Sequence, residues 1–88
     1  MVELIDFYAD WCGPCVAMKP VIEEIEKEMP GKVKITKVDV DQKQEEASKY
    51  GVMSIPTYVI LKDGKEVDRF IGATSKENVI SKINAHVS

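Results

Sequence analysis

The polar and apolar positions alternate in blocks that change period along the chain. Val2 to Tyr8 is almost continuously apolar or aromatic, as a strand covered on both faces requires. Asp6 is the one carboxylate inside it. A loop from Ala9 to Gly13 follows, and then the period becomes helical. Val21, Ile22, Ile25 and Met29 form one stripe, with Glu23, Glu24, Glu26 and Lys27 on the other faces. The spacing predicts a helix from about Pro14 to Met29. Proline costs nothing in a first turn, where its missing N–H has no partner. Pro20 lies inside the same stretch and predicts a kink. Pro30-Gly31 ends it.

Val33 to Val40 predicts the second strand. Asp41 with Gln44 three positions on reads as an N-cap, opening a short helix that runs to Tyr50 and stops at Gly51. Thr57 to Leu61 is a third strand. Asp63-Gly64 marks a hairpin turn, and Lys65 to Ile71 returns as a more charged, edge-like strand. Thr74 and Glu77 form a capping-box pattern before a last helix striped by Val79, Ile80, Ile83 and Val87. The order is β-α-β-α-β-β-α. It implies an α/β fold in which a central four-stranded mixed sheet is covered by three helices. The first two strands are parallel through a right-handed crossover, and the last two form an antiparallel hairpin. At 88 residues, without linker, repeat or low-complexity segment, residues 1–88 are expected to form a single domain.

Composition narrows the function. Hydrophobic residues make up 44% and charged residues 31%, an ordinary balance for a folded chain. The net charge is −3 and no basic run exists, so nucleic acid is a poor partner. The longest clean apolar run, Val59-Ile60-Leu61, is far too short to span a bilayer, which argues against a membrane role. No export signal opens the chain, so the expected compartment is the cytoplasm.

The only two cysteines stand three positions apart, just after a strand and at the start of a helix. The first turn of a helix offers free amide N–H groups and the positive end of the dipole. Cys12 placed there gains stabilisation as a thiolate, the form that attacks disulfides. Cys15, one turn on, can reach its sulfur. Two plainer readings compete. A structural staple of so small a loop gains only about 2 kcal/mol in chain entropy. A zinc site wants four ligands, and the only other soft donor is the distant His86. No metal is expected.

Trp11-Cys12-Gly13-Pro14-Cys15 resembles the active-site motif of the thioredoxin family, and the likeness runs over essentially the whole chain. The family is implied in a short, glutaredoxin-sized form, because the additional N-terminal strand and helix of longer members are missing here. Met1 suggests a complete chain. The resemblance implies that Cys12 is the nucleophile, Cys15 the resolving thiol and Asp6 the buried proton acceptor, with Lys37 pairing to Asp6. It implies that Pro20 bends the active-site helix. It also implies that Trp11, Gly13, Pro14, Ile55, a cis Pro56 and Gly72 form the substrate-docking surface.

The residues can be read on their own beside this. A carboxylate in a strand covered on both faces has a raised pKa, which would let Asp6 accept a proton from Cys15; it could instead point to solvent. Lys37 read alone is an exposed strand lysine. Trp11 could dock substrate or simply pack. Pro56 would be trans by default. Met53 could line the same docking surface, although its residue type reads first as a core or gap-filling side chain. Tyr8 stands where the family usually has Trp, and Val16 where a basic residue often follows the second cysteine.

The expected activity is reduction of protein disulfides in the cytoplasm by a monomer with no bound cofactor beyond its own Cys12–Cys15 pair. Electrons would come from a flavoprotein thioredoxin reductase, since no glycine-rich nucleotide loop is present. The competing functions are a glutathione-linked glutaredoxin, against which the Gly13-Pro14 centre and Ile55 argue, and a non-redox binding module of the same fold. An oxidase or isomerase direction depends on redox potential.

Overall fold

The computed structural model describes residues 1–87. Its elements are β1 (Val2–Tyr8), α1 (Gly13–Glu28), β2 (Val33–Asp39), α2 (Gln44–Lys49), β3 (Thr57–Lys62), β4 (Lys65–Ile71) and α3 (Lys76–Asn84). The strands form one sheet in the order β2-β1-β3-β4. β1 runs parallel to β2, while β1–β3 and β3–β4 are antiparallel. The expected order and fold class are therefore the observed ones.

The alternation of a strand divides the core into two layers. Leu4, Tyr58 and Ile60 face one way and meet Met18, Ile22 and Ile25 of α1 with Val79 and Ile83 of α3. Ile5, Phe7, Val59 and Leu61 face the other way, where Ala47 of α2 and Tyr50 just after it pack on them. β1 and β3 are central and buried on both sides, which explains their unbroken apolar runs. By the same parity Asp6 shares the α1 face with Leu4.

Local chemistry sets the ends. Asp63 and Gly64 both adopt positive φ, 52° and 84°, as a two-residue hairpin of the primed type needs. Gly31, at φ 77°, takes the chain out of α1. α1 continues through Pro20, ends one residue before Met29 and begins one residue before Pro14.

Two caps differ from expectation. Asp41 does not cap α2. Lys43 stands at the N-cap without a side-chain hydrogen bond, while the Asp41 N–H donates to Asp39 Oδ1 and its carboxylate is engaged by Trp11. α3 is capped by Ser75 rather than Thr74: Asn78 N–H donates to Ser75 Oγ, and Thr74 Oγ1 accepts from Asn78 Nδ2. Val87 lies beyond the end of α3 but still packs on the core. Among the described residues no helix is long and apolar enough to cross a membrane.

Candidate active site

The site is built where β1 ends and α1 begins. Cys12 is the N-cap of α1, with extended backbone angles (φ −87°, ψ 111°). Its N–H donates to Ala9 O at 3.2 Å, and its Sγ accepts from Cys15 N–H at 3.2 Å. An amide of the first helical turn, that of Cys15, therefore points at the sulfur that would carry charge. No acidic residue lies in the first turn of α1 to oppose that charge. Pro14 sits in this turn, where its absent N–H leaves nothing unsatisfied.

Cys12 and Cys15 form a disulfide with their Cα atoms 5.2 Å apart. Both are buried, packed with Ala9 and against Tyr8, Val40 and Ile55. Gly13 is exposed between them, and Val16 is exposed beyond them.

Asp6 is 8% exposed. Burial raises its carboxyl from the ordinary 3.8 to about 6, and the nearby Lys37 charge lowers it by a smaller amount. A cleft of about 290 Å³ joins it to Cys15; Asp6, Tyr8, Cys15, Lys19, Glu23 and Lys37 line it. Lys37 is the register partner of Asp6 on the neighbouring strand. Its ion pair is nevertheless made to Glu26 Oε1, at 3.3 Å, and not to Asp6. The expected direct pair is thus replaced by a longer-range field: the amine reaches outward to the α1 surface, where it stays hydrated. Burial also raises the Tyr8 hydroxyl, with help from Asp39, Asp10 and Asp6.

On the other side of the cysteines lies the Ile55–Pro56 segment. That peptide bond is cis. Pro56 is buried, its carbonyl accepts from Gly72 N–H at 2.9 Å, and Thr57 Oγ1 donates to Ser54 O at 2.6 Å. Gly72 has φ 94°, which a side chain would resist. Ile55 borders the cysteine cluster. Its backbone N–H and C=O have no backbone partner among the described residues. Trp11 is 70% exposed, and its indole Nε1 donates to Asp41 Oδ2 at 2.7 Å. Trp11, Val40, Val52, Met53, Ser54 and Ile55 line a shallow, mostly apolar groove of about 170 Å³. Met53 is 97% exposed. It does not fill the core as its residue type suggested, because the segment before Pro56 is irregular and turns this side chain outward.

A larger depression of about 640 Å³ runs along the segment from Asp41 to Glu46. One short stretch supplies all its walls and it holds no nucleophile, so it is not the candidate site. Among the described residues no group of three or more His, Cys, Asp or Glu is placed to hold a metal.

Sequence reasoning missed three contributors. Lys19 and Glu23 follow Cys15 at helical spacing of four, a signal that could have put them on the Asp6 face. Asp41 fits a helix-cap pattern, and nothing local in the sequence connects it to Trp11.

The comparisons agree with this geometry. The Thioredoxin family model matches residues 2–85. The chain is 52% identical over 86 residues to a thioredoxin of Bacillus subtilis, covering 98% of this chain and 83% of that protein. It is 46% identical over 86 residues to a thioredoxin of Staphylococcus aureus, with the same coverage. Among solved structures, a Fasciola hepatica thioredoxin superposes with a TM-score of 0.91 at 48% identity, covering 97% of this chain and 80% of that one. A mutant thioredoxin from Halobacterium salinarum superposes with a TM-score of 0.92 at 38% identity, covering 99% and 75%.

Proposed function

The chain belongs to the thioredoxin family and is a thiol–disulfide oxidoreductase, and from that premise we propose that it reduces disulfides of other proteins, with Cys12 attacking and Cys15 resolving. The observation that carries this reading is the Cys12 sulfur at the N-cap of α1, accepting the Cys15 amide.

In the reduced protein the Cys12 thiolate attacks one sulfur of a substrate disulfide. One substrate thiolate leaves, and a mixed disulfide forms. Cys15 gives its proton to Asp6 across the cleft, through water, and its thiolate attacks the Cys12 sulfur. The second substrate thiolate leaves, and the Cys12–Cys15 disulfide remains. Two electrons have passed from the protein to the substrate. A base that titrates at about 6 is charged at neutral pH yet still holds a proton well enough to accept one. Lys37 supports the charged carboxylate through its field.

The substrate chain docks in the groove beside Trp11, with Gly13 and Pro14 giving a low rim, and pairs with the free backbone groups of Ile55. The cis Pro56 and Gly72 hold that edge flat. Protein segments with apolar side chains fit this groove. A separate flavoprotein reductase returns the electrons, and the chain works as a monomer without a bound cofactor. Reduction in the cytoplasm matches this direction of electron flow.

Insulin reduction with dithiothreitol as electron source tests the reading. The parent protein is expected to speed precipitation of the insulin B chain, and Cys12→Ser to fall to the uncatalysed rate. Unchanged turnover in Cys12→Ser would refute the mechanism.

A further inference from the structure

Four methionines occur in the chain. Met18 and Met29 are buried at 3% and 7% exposure, inside the α1 core. Met1 and Met53 are exposed at 69% and 97%. Only Met53 stands in the groove with Trp11 and Ile55; Met1 lines a separate depression with Lys32 and Lys62. Nothing in the core explains an apolar side chain held almost entirely in water in a groove whose residues Val40 and Ile55 border the cysteine cluster.

The redox state of the cysteines sharpens this. In the disulfide form neither cysteine offers a thiolate, and both are buried. The thioether of Met53 is then the accessible sulfur of the site. Thioether oxidation follows exposure.

We propose that Met53 is a peroxide-modification site whose oxidation weakens substrate docking. The thioether sulfur attacks one oxygen of hydrogen peroxide and the O–O bond breaks. Sulfur gains that oxygen as a sulfoxide and loses two electrons, and the other oxygen leaves as water. The sulfoxide replaces a flexible apolar tip by a polar, chiral group at the groove wall. An apolar substrate segment then meets a hydrated dipole, while the Cys12–Cys15 chemistry is untouched. A dithiol-dependent methionine sulfoxide reductase reverses the change. This rests on the reading of the groove as the docking surface.

The test treats the disulfide form with hydrogen peroxide, removes the peroxide, and maps oxygen addition by peptide mass. Met53 is expected to react at least about tenfold faster than Met18 and Met29. The KM for insulin is expected to rise about fivefold with kcat for a small dithio-aryl disulfide unchanged, and sulfoxide reductase treatment to restore it. Met53→Leu, compared with its own untreated sample, keeps its KM through the same treatment although Met1 is oxidised. Met53 reacting no faster than Met18 would overturn the site. An unchanged KM after complete oxidation, or an equal rise in Met53→Leu, would overturn its effect. An untreated protein inactive on insulin would fail the functional reading alone, and the mass map would still decide the site.

Discussion

The Trp11 indole donates to the Asp41 carboxylate across 2.7 Å, which ties the residue before Cys12 to the segment between β2 and α2. The indole is well exposed, so this bond and not burial fixes its orientation over the groove. Asp41→Ala frees the ring. A charge-assisted bond at an exposed site is worth enough to raise the KM for insulin about two- to fivefold, with kcat for a small disulfide unchanged. Trp11→Phe should show the same rise, and adding Asp41→Ala to it should cost nothing more. Additive losses in the double variant would show that the bond does not act through the ring.

Asp6 predicts a pH dependence of stability. Its carboxyl titrates at about 6 in the folded chain against an ordinary 3.8, so the native state keeps the proton to higher pH than the unfolded one. Stability is therefore undiminished below about pH 4, falls as pH rises towards 6, and is flat above. The loss is on the order of 3 kcal/mol. Asp6→Asn removes it, so denaturant melts should find this variant more stable than the parent at pH 7 and about equal at pH 4. A variant less stable at pH 7 would contradict the buried carboxylate.

The same substitution separates stability from catalysis. The proposed mechanism has Asp6 accept the Cys15 proton, so insulin turnover of Asp6→Asn at pH 7 should fall at least about tenfold. The deficit should narrow as pH rises and hydroxide takes over. A constant deficit between pH 6 and 9 would assign Asp6 a purely structural part.

How much of this could be read from the chain depends on where regular periodicity holds. The two-sided burial of β1 and β3 shows directly in their apolar runs, and the cysteine pair at a strand-to-helix junction needs only its spacing. A strand apolar on both faces hides which way Asp6 points, so its side was decided by packing against α1. Asp41 satisfies the capping pattern three positions before Gln44, yet the indole of a residue remote in sequence engages its carboxylate and leaves α2 without a side-chain cap. Met53 sits in an irregular segment with no period, where residue type alone suggests a wrong side of the surface.

Cys15→Ser should trap the exchange halfway. Cys12 still attacks, but the resolving thiol is gone, so a mixed disulfide with substrate protein accumulates and dithiothreitol releases it. Non-reducing gels with reduced variant and oxidised substrate check this. Absence of any trapped species would contradict the order of attack.

Gly72 holds φ 94° while its amide donates to Pro56 O. A Cβ there meets nothing within 4 Å, so Gly72→Ala is penalised by backbone strain alone. That cost, about 1–2 kcal/mol, should lower Tm by about 4–15 °C. An unchanged Tm would contradict the positive φ.

The most direct measurement is the pH dependence of alkylation of the reduced protein by iodoacetamide, with the label mapped. One sulfur held at the start of a helix should react first and alone, with label on Cys12 and a half-maximal rate well below the pH of about 8.5 at which a free cysteine is half ionised. A half-maximal rate near 8.5, or label falling first on Cys15, would contradict the account.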